Sequence, residues 1–381
     1  MNQSSVGNYC PNKSICGSCG WSHIPYKKQL EQKLSDINGT FALKDLQEKV
    51  TNIIPSPVTA HYRNRMDFVI NFEGLVGLRE KGKWWRVIDN HPCFLADEKI
   101  EVLFHQVREW THTANLSFFD RKAISGLLRY AVIRSTSTGE AMINIVTSVP
   151  VNQEEDTRAH EALERLAKEC NATTLLWSIN DTPSDVSHGG DVRIISGPGF
   201  LTEEINECVY RITPNAFFQT NLYGAPVLQQ TVVDLARKTG AKNAVDLYCG
   251  SGFFSIPLAN AGLQIYGAEM VEEAIHDARI NAELNNASIE FEASKIEDLE
   301  WTKHHPELVI VDPPRIGLHE KVIADILHEQ PPHLIYISCN YKSFAREFVI
   351  LRETYDLKDI VAIDMFPHTP HVELICYLHR K

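Results

Sequence analysis

The chain of 381 residues is 44% hydrophobic and 23% charged, and 37 basic against 49 acidic side chains give a formal net charge of −12. This length suits two or three domains of about 100–200 residues each, and the ordinary composition excludes collagen-like, disordered and coiled-coil proteins. The acidic balance also excludes a protein that holds nucleic acid through overall positive charge, although it allows a local basic groove.

No segment of the sequence predicts a contact with membranes. No apolar run approaches the about 18–20 residues that cross a bilayer, and the first residues, MNQSSVGNYCPNK, lack the basic and apolar regions of a secretory signal. We therefore expect a cytoplasmic protein with no membrane partner.

The chain opens with a cysteine-rich segment, residues 1–21, that has little periodicity. Cys10, Cys16 and Cys19 fall within ten residues, and Cys93 is a plausible distant fourth ligand. Four thiolates satisfy either zinc or an iron–sulfur cluster, and the spacing does not separate the two. Because nine cysteines, an odd number, occur in a chain without a secretory signal, ligands, free thiols or a nucleophile are favoured over disulfides.

The next two regions differ in the spacing of their apolar residues. From Tyr26 to Val50 the pattern is helical and charged, with a predicted break at Asn38-Gly39. Residues 60–215 alternate short strands with Gly, Asn and Pro turns and contain one clear helix, about Glu154–Cys170, which is typical of an α+β domain.

From about Pro226 onward, near-continuous apolar strands alternate with amphipathic helices. Strands of that kind are buried on both faces, which predicts a doubly wound, mostly parallel α/β sheet. The last segment, VELICYL, is predicted to be an antiparallel closing strand.

A glycine turn in this region predicts a nucleoside site. Asp246-Leu-Tyr-Cys-Gly250-Ser-Gly252 ends a buried strand and opens a helix, where glycines let the backbone approach a ligand. Glu269 ends the following strand, the position from which a carboxylate binds ribose hydroxyls. Ser255 occupies the slot of the third glycine in G-x-G-x-x-G, which disfavours a pyrophosphate and favours S-adenosylmethionine.

Two further motifs follow strands that end at the same predicted edge. Asp312-Pro-Pro-Arg315 resembles the D-P-P-Y loops of amino-group methyltransferases, but Arg315 replaces the aromatic residue that stacks on a flipped base. Cys339 follows a buried strand, where it is either an inert small hydrophobe or a nucleophile stabilised by Arg315 or a helix terminus. Cys249 competes as the nucleophile but lies inside the glycine turn.

Together these motifs resemble the RNA uracil-C5 methyltransferases, and most of all the members that carry an iron–sulfur cluster and modify 23S rRNA. The resemblance spans essentially the whole chain and includes these further stretches: Tyr62-Arg-Asn-Arg65, Phe217-Phe-Gln219-Thr-Asn, DPPRIGL, ISCN and FPHTPHVE. Relatives often begin with a small β-barrel RNA-binding module called TRAM. This chain starts directly at its cysteines, so we expect that module to be missing.

The resemblance implies a Rossmann-like class I S-adenosylmethionine-dependent methyltransferase domain with a smaller α+β central domain and an N-terminal cysteine cluster. The implied segments are 1–21 for the cluster, 22–57 for a helical segment on the catalytic domain, 58–212 for RNA binding and 213–381 for catalysis. It also implies roles for individual residues: Cys339 as nucleophile, Glu373 as general base, Gln219, Tyr248, Gly250, Glu269 and Asp312 as S-adenosylmethionine ligands, and Cys10, Cys16, Cys19 and Cys93 as ligands of a 4Fe–4S cluster.

RNA, with 23S rRNA preferred, is the implied partner, and no obligate protein partner is implied. Local basic patches must supply the affinity, and the candidates are Arg63 and Arg65, the run Lys81-Gly-Lys-Trp84-Trp85-Arg86, and Lys342 with Arg346. Adjacent residues on a strand face opposite sides, so at least one tryptophan of that run is expected in the core.

Three alternatives to this function remain. The first keeps the chemistry and takes the T-loop uridine of tRNA as substrate. The second is an exocyclic-amine methyltransferase that uses Asp312-Pro-Pro and does not need Cys339. The third, of another class, is a catalytically inactive cluster-bearing RNA-binding or redox-sensing protein.

Overall fold

The structure, a computed structural model, describes residues 10–381, so residues 1–9 of the predicted cysteine segment lie outside the described part. Its first elements are helix α1 (Tyr26–Ala42) and the two-residue strand β1 (Ile53–Ile54). None of the helices within residues 10–381 combines the length and the apolar character that a bilayer crossing requires.

The predicted break at Asn38-Gly39 is wrong, because α1 continues through both residues. A glycine inside a helix costs only about 1 kcal/mol, and the packing of the helix outweighs that cost. The Asn38 side chain forms two hydrogen bonds of 2.9 Å with the backbone of Val50, one as donor and one as acceptor. The chain between α1 and Val50, which was expected to be helical, is a turn followed by irregular backbone.

A seven-stranded sheet and two helices form the middle of the chain. Its elements in chain order are β2 (Arg65–Ile70), β3 (Val76–Glu80), β4 (Lys83–Asp89), α2 (Glu98–Thr113), β5 (Leu128–Ser135), β6 (Ala141–Ser148), α3 (Gln153–Glu169), β7 (Thr174–Asn180) and β8 (Asp191–Ser196). The strand order is β4-β3-β2-β5-β6-β7-β8, and only β6 and β7, which α3 connects, run parallel. The predicted helix is therefore α3, which the Asn152 side chain caps by accepting from the Glu155 N–H at 2.9 Å.

A short hairpin, β9 (Leu201–Ile205) and β10 (Cys208–Ile212), bridges the two halves of the chain. The Glu203 carboxylate accepts from the backbone N–H of Ser137 in the middle region at 3.1 Å. On the other strand the N–H groups of Val209 and Arg211 donate to the side chains of Asn285 and Asn281, respectively, at 2.8 and 2.7 Å. The hairpin thus fixes the middle sheet against the C-terminal half.

The C-terminal half is a doubly wound sheet, as predicted. Its elements are α4 (Gly224–Thr239), β11 (Asn243–Leu247), α5 (Ser255–Asn260), β12 (Gln264–Glu269), α6 (Glu272–Leu284), β13 (Ile289–Ala293), β14 (Leu308–Val311), α7 (Glu320–Glu329), β15 (His333–Ser338), α8 (Tyr341–Leu351), β16 (Tyr355–Ile363) and β17 (Glu373–Arg380). The strand order is β1-β16-β17-β15-β14-β11-β12-β13, in which β17 is antiparallel to both of its neighbours.

Strand β14 shows why these strands have continuous apolar runs. Leu308 and Ile310 pack into the core on one face of the sheet, whereas Val309 and Val311 pack into the core on the other face. Alternate side chains of a strand point to opposite faces, so a strand covered by helices on both sides needs apolar residues at every position. Helix α1 covers part of one face, where Phe41 packs 6.0 Å from Phe344 of α8 between ring centroids.

Candidate active site at one edge of the large sheet

The strand directions gather the candidate residues at one edge of the large sheet. β11, β12, β14 and β15 are parallel, so their carboxyl ends meet there. β17 is antiparallel, so its first residue, Glu373, lies at that same edge. Ser338 and Leu374 are register partners, which places Cys339 and Glu373 beside each other on neighbouring strands.

Cys339 and Glu373 interact electrostatically. Burial, with the negative charges of Glu373 and Asp312, raises the pKa of the Cys339 thiol to about 12, and Arg315 opposes this rise. Burial and the Asp312 charge also raise the pKa of Glu373 well above its usual value, again with Arg315 opposing. One thiol, two carboxyls and one guanidinium therefore share this site, and the charges of Asp312 and Arg315 act on the pKa of both Cys339 and Glu373.

The loop after β14 is attached to the start of α8. Asn340 caps α8 by accepting from the Lys342 N–H at 3.2 Å, and its side-chain N–H donates to the Arg315 carbonyl at 2.9 Å. The Ser343 hydroxyl donates to the same carbonyl at 2.9 Å. The Arg315 guanidinium lies 2.8 Å from Nδ1 of His371, two residues before Glu373. These bonds fix Arg315 at the site, where its charge acts on both the Cys339 thiol and the Glu373 carboxyl.

The glycine turn after β11 has the open backbone that a nucleoside site requires. Tyr248 and Gly250 adopt positive φ angles of 67° and 54°, and no heavy atom lies within 4 Å of the position a Gly250 Cβ would take. Glu269 ends the next strand, and its carboxylate accepts from the Val271 N–H at 3.0 Å. An open glycine turn beside a carboxylate at the end of the next strand is the arrangement that binds the ribose of a nucleoside cofactor.

Asp246, on the strand below this turn, is fully buried. The Ser255 hydroxyl donates to one of its carboxylate oxygens at 2.5 Å, and the other oxygen has no hydrogen-bond partner. Burial raises the pKa of Asp246 to about 7, and that of Asp312 is raised to about 7 by burial and by the charge of Asp246. A bound cation or hydrogen-bond donor would therefore stabilise the charged form of both carboxyls.

Gln219 lies in the segment between β10 and α4. Its carbonyl accepts from the Asn64 side chain at 3.2 Å, which connects the segment to the middle sheet. Phe218 beside it is buried against Tyr210 and Phe253, with ring centroids 5.3 and 5.6 Å away, whereas Phe217 is 74% exposed. The backbone of Gln219 is thus fixed against the middle sheet.

The loop before β17 is held by residues of α1 that sequence reasoning missed. The Gln29 side chain accepts from the His368 N–H at 2.7 Å and lies 3.0 Å from Nδ1 of the His368 ring. Lys33, fully buried, donates to Asp364 at 2.6 Å and to the Phe366 carbonyl at 3.1 Å. The available signal was spacing: residues 29, 33, 37 and 41 recur every four positions and share the buried face of α1.

The four cysteines of the predicted cluster meet in the fold. Cys10, Cys16, Cys19 and Cys93 are each at most 4% exposed, and the charges of the other three act on the pKa of the Cys19 thiol. Burial raises the pKa of Cys19 to about 12 and that of Cys93 to about 11. The metal site itself is not confirmed, since no group of three or more His, Cys, Asp or Glu side chains within residues 10–381 is arranged to hold a metal ion.

The order of the large sheet, its glycine turn and the acidic end of β12 define the fold of an α/β S-adenosylmethionine-dependent methyltransferase. A crystal structure of Pyrococcus abyssi tRNA (uracil-54, C5)-methyltransferase in complex with S-adenosyl-L-homocysteine has this fold. It matches with a TM-score of 0.81 and 34% identity over 96% of this chain and 86% of that one.

A family model described as tRNA (uracil-5-)-methyltransferase matches residues 25–381, and the chain belongs to this family. It is 37% identical over 375 residues to the tRNA (uracil(54)-C(5))-methyltransferase of Pyrococcus horikoshii, covering 98% of this chain and 86% of the relative. An RNA methyltransferase of Nanoarchaeum equitans is 35% identical over 98% of this chain and 80% of that relative.

Proposed function

We propose that this protein transfers a methyl group from S-adenosylmethionine to C5 of uridine 54 in tRNA. The observation that carries the chemistry is the pairing of Cys339 with Glu373 at the strand edge beside Asp312 and Arg315. The relatives whose names state a substrate act on uracil 54 of tRNA, so the comparisons favour tRNA, the alternative weighed from the sequence, over 23S rRNA.

The residues have complementary tasks in this reaction. C5 of uracil is a weak nucleophile, so the Cys339 thiolate adds to C6 and forms a C–S bond, which makes C5 enolate-like. Bound S-adenosylmethionine would supply an electrophilic methyl group. C5 forms its new bond to this methyl carbon as the S–CH3 bond breaks, and S-adenosylhomocysteine is the leaving group. Glu373 then takes the proton from C5, the C6–S bond breaks, and the thiolate leaves 5-methyluridine.

The cofactor is proposed to lie across the glycine turn. Tyr248 and Gly250 give it an open backbone cradle, and Glu269 offers a carboxylate to the ribose hydroxyls. Asp312 lies between this turn and Cys339, since it acts on the pKa of the thiol and is itself affected by Asp246. Gln219 is proposed to complete the binding site from the segment before α4.

We also propose that Cys10, Cys16, Cys19 and Cys93 hold a 4Fe–4S cluster. What supports this is that four buried free thiols come from two separate parts of the chain and that Cys10, Cys16 and Cys93 lie near enough to Cys19 to act on its pKa. A cluster there supplies cross-links between the cysteine segment and the middle domain, which is a structural role.

The test is methyl transfer from labelled S-adenosylmethionine to an unmodified tRNA transcript and to 23S rRNA from a strain that lacks the enzyme. We expect label in 5-methyluridine of the tRNA, and none in a transcript in which uridine 54 is replaced by cytidine. Label in 23S rRNA alone would overturn the tRNA assignment, and label in adenosine or cytidine would overturn the chemistry.

A further inference from the structure

The edge strand of the middle sheet carries an irregularity that exposes two tryptophans. Lys83 pairs with Glu80 and Val87 pairs with Arg79, which leaves residues 84–86 of β4 without register partners on β3. Among residues 10–381, no strand pairs with the other side of β4. A bulge of this kind abolishes the alternation of side chains, so the expectation that one tryptophan lies in the core is wrong. Trp84 and Trp85 are 45% and 48% exposed.

Cations surround these tryptophans. The two indole rings lie edge to face at 5.8 Å, and the Arg121 guanidinium lies 5.0 Å from the centroid of the Trp84 ring. The bulge and its flanks add three more cations, and the full set, which we call the bulge surface, is Lys81, Lys83, Trp84, Trp85, Arg86 and Arg121. Glu80 pairs with two of these cations, so positive charge remains in excess there on a chain whose net charge is −12.

A cavity adjoins the bulge surface through Arg121. The Arg121 guanidinium lies 3.3 Å from the carboxylate of Asp185, which also accepts from Arg79 and Tyr130. Arg79, Tyr130 and Asp185 line an open cavity of about 400 Å³ on one face of the middle sheet. That volume is in the range of small-ligand sites, about 300–1,000 Å³, and its lining offers both donors and an aromatic ring.

The cysteine segment connects the bulge surface with the loop before Glu373. Cys16 forms a β-bridge with Glu80, and the Lys81 N–H donates to the Ile15 carbonyl at 2.8 Å. Six residues later, the Trp21 N–H donates to the His368 carbonyl at 3.0 Å. Six residues span at most about 20 Å, so one folded RNA reaches both places.

We propose that the bulge surface docks the tRNA substrate by stacking unpaired bases on Trp84 and Trp85 while its cations hold the phosphates. Interleaved exposed aromatic and cationic side chains are the chemistry of single-stranded RNA recognition. A protein partner is disfavoured because the excess positive charge would remain unmatched except against an acidic surface. This inference rests on the proposed function and assigns a docking surface to it.

Of the other basic candidates from the sequence, Lys342 is exposed, and the remaining three are less available. Arg65 is paired with Asp67 at 2.9 Å, and Arg346 is paired with Glu347 at 2.6 Å and donates to the Ile316 carbonyl. Arg63 is only half-exposed, and its Nε is buried without a partner. The bulge surface therefore offers the larger set of exposed cations next to exposed aromatic rings.

The experiment measures the Kd of an unmodified tRNA transcript for the full-length protein, without S-adenosylmethionine, so that binding is read independently of methyl transfer. We expect Trp84→Ala with Trp85→Ala to raise this Kd about 10–100-fold, since stacking is lost at one or two bases. Trp84→Phe with Trp85→Phe retains aromatic faces and should remain within about threefold of the wild type.

A separate pair of variants tests the cations. Lys81→Gln with Arg121→Gln should reduce the slope of log Kd against log salt concentration by about one for each cation removed. For the tryptophan variants the matched control is Phe72→Ala, because Phe72 is an aromatic residue that is 50% exposed in the turn at the opposite end of β3, and its replacement should leave Kd unchanged.

The outcomes separate the docking surface from the proposed function. A wild-type protein that binds and methylates tRNA, with a Kd that the tryptophan substitutions change less than twofold, would overturn the bulge surface alone. A wild-type protein that binds tRNA no better than an unrelated RNA would overturn the tRNA function. An unchanged Kd with self-association that the tryptophan substitutions abolish would assign the surface to a contact between copies of the chain.

Discussion

At the scale of single residues, the problem for catalysis is the protonation of Cys339. Its pKa of about 12 means that the free site holds a thiol, and addition to uracil requires the thiolate. Glu373, one of the two carboxyls whose charge disfavours the thiolate, is needed later in the reaction because it takes the C5 proton. Arg315 offsets part of this repulsion, and the site is therefore sensitive to its charge.

Replacing Cys339 should abolish the reaction and leave cofactor binding intact. For Cys339→Ala we expect methyl transfer to fall by at least about 10³-fold, because no other group forms the bond to C6. Transcripts with 5-fluorouridine at position 54 should form a denaturation-resistant adduct with the wild type and none with the variant, as seen on denaturing gels. Cys170→Ala, at a half-buried cysteine after α3, is the control that should form the adduct normally. An adduct that persists in Cys339→Ala would place the nucleophile elsewhere.

Replacing Glu373 should stop the reaction after the methyl group has been transferred. Glu373→Gln retains the shape of the side chain but cannot accept the C5 proton, so turnover should fall about 10²–10⁴-fold. Methylated RNA should accumulate covalently bound to the enzyme, and mass spectrometry of the trapped peptide measures it. A slow variant without trapped RNA would remove Glu373 from the proton-transfer step.

The activity should rise with pH. Below the pKa of Cys339 the thiolate fraction increases about tenfold per pH unit, so log kcat/KM should climb from about pH 6 to 9. Because the Arg315 charge lowers the pKa of both Cys339 and Glu373, Arg315→Gln should move this limb to higher pH. Arg315→Lys, which keeps the charge, should move it less. A limb that Arg315→Gln leaves in place would show that the guanidinium does not act on the reacting groups.

At the scale of elements, α1 reaches into the catalytic half and fixes the loop that carries Glu373. It does so through polar side chains on its buried face, Gln29 and Lys33, rather than through apolar packing alone. The sequence predicted a charged helix here but not its partner, since Lys33 and Asp364 are 331 positions apart. Only the folded chain brings the two charges together.

The buried pair of Lys33 and Asp364 should be essential for the stability of this contact. Lys33→Met leaves a buried carboxylate without its partner, which costs about 3–5 kcal/mol, whereas Lys33→Met with Asp364→Leu should recover much of the loss. Chemical denaturation measures both variants. Lys28→Ala is the matched control on the same helix, since Lys28 pairs with Glu31 in solvent, and its denaturation midpoint should not change. Equal losses in the single and double variants would mean that packing rather than charge dominates.

Strand β4 shows the limit of periodicity as a predictor. Alternation predicts one buried and one exposed tryptophan at positions 84 and 85, and the strand type is right. The bulge depends on how β4 pairs with β3, which no local pattern encodes, and the position of β4 at the edge leaves both rings uncovered. The exposure of both tryptophans therefore could not be predicted from the sequence, because it depends on how two strands pair.

At the scale of the whole molecule, two sheets are joined at the segments that flank the catalytic residues. The Tyr62 hydroxyl donates to the Pro367 carbonyl at 3.0 Å, and the Asn64 side chain donates to the Gln219 carbonyl at 3.2 Å. The motif around Tyr62 thus serves as a joint between the sheets. The cysteine segment adds a second joint through Trp21 and His368.

Loss of the proposed cluster should loosen this second joint. Protein purified without oxygen should contain about four iron atoms per chain, and Cys93→Ser should lower the iron content and the thermal midpoint together. Cys208→Ala, at a buried cysteine of the hairpin that is not among the four, is the control for iron content. Colourless wild-type protein loaded with zinc would overturn the iron assignment.

The sequence by itself determined the architecture and the edge of the sheet at which the chemistry lies. Continuous apolar strands, the glycine turn and the motifs at the strand ends are local patterns, and parallel strands necessarily bring their carboxyl ends together. Only packing and strand register in the folded chain bring Glu373 beside Cys339, attach α1 to the loop before β17, and leave both tryptophans of β4 exposed. Each of these depends on register or packing between segments far apart in the chain, and the free energy of such contacts exists only once the segments have met.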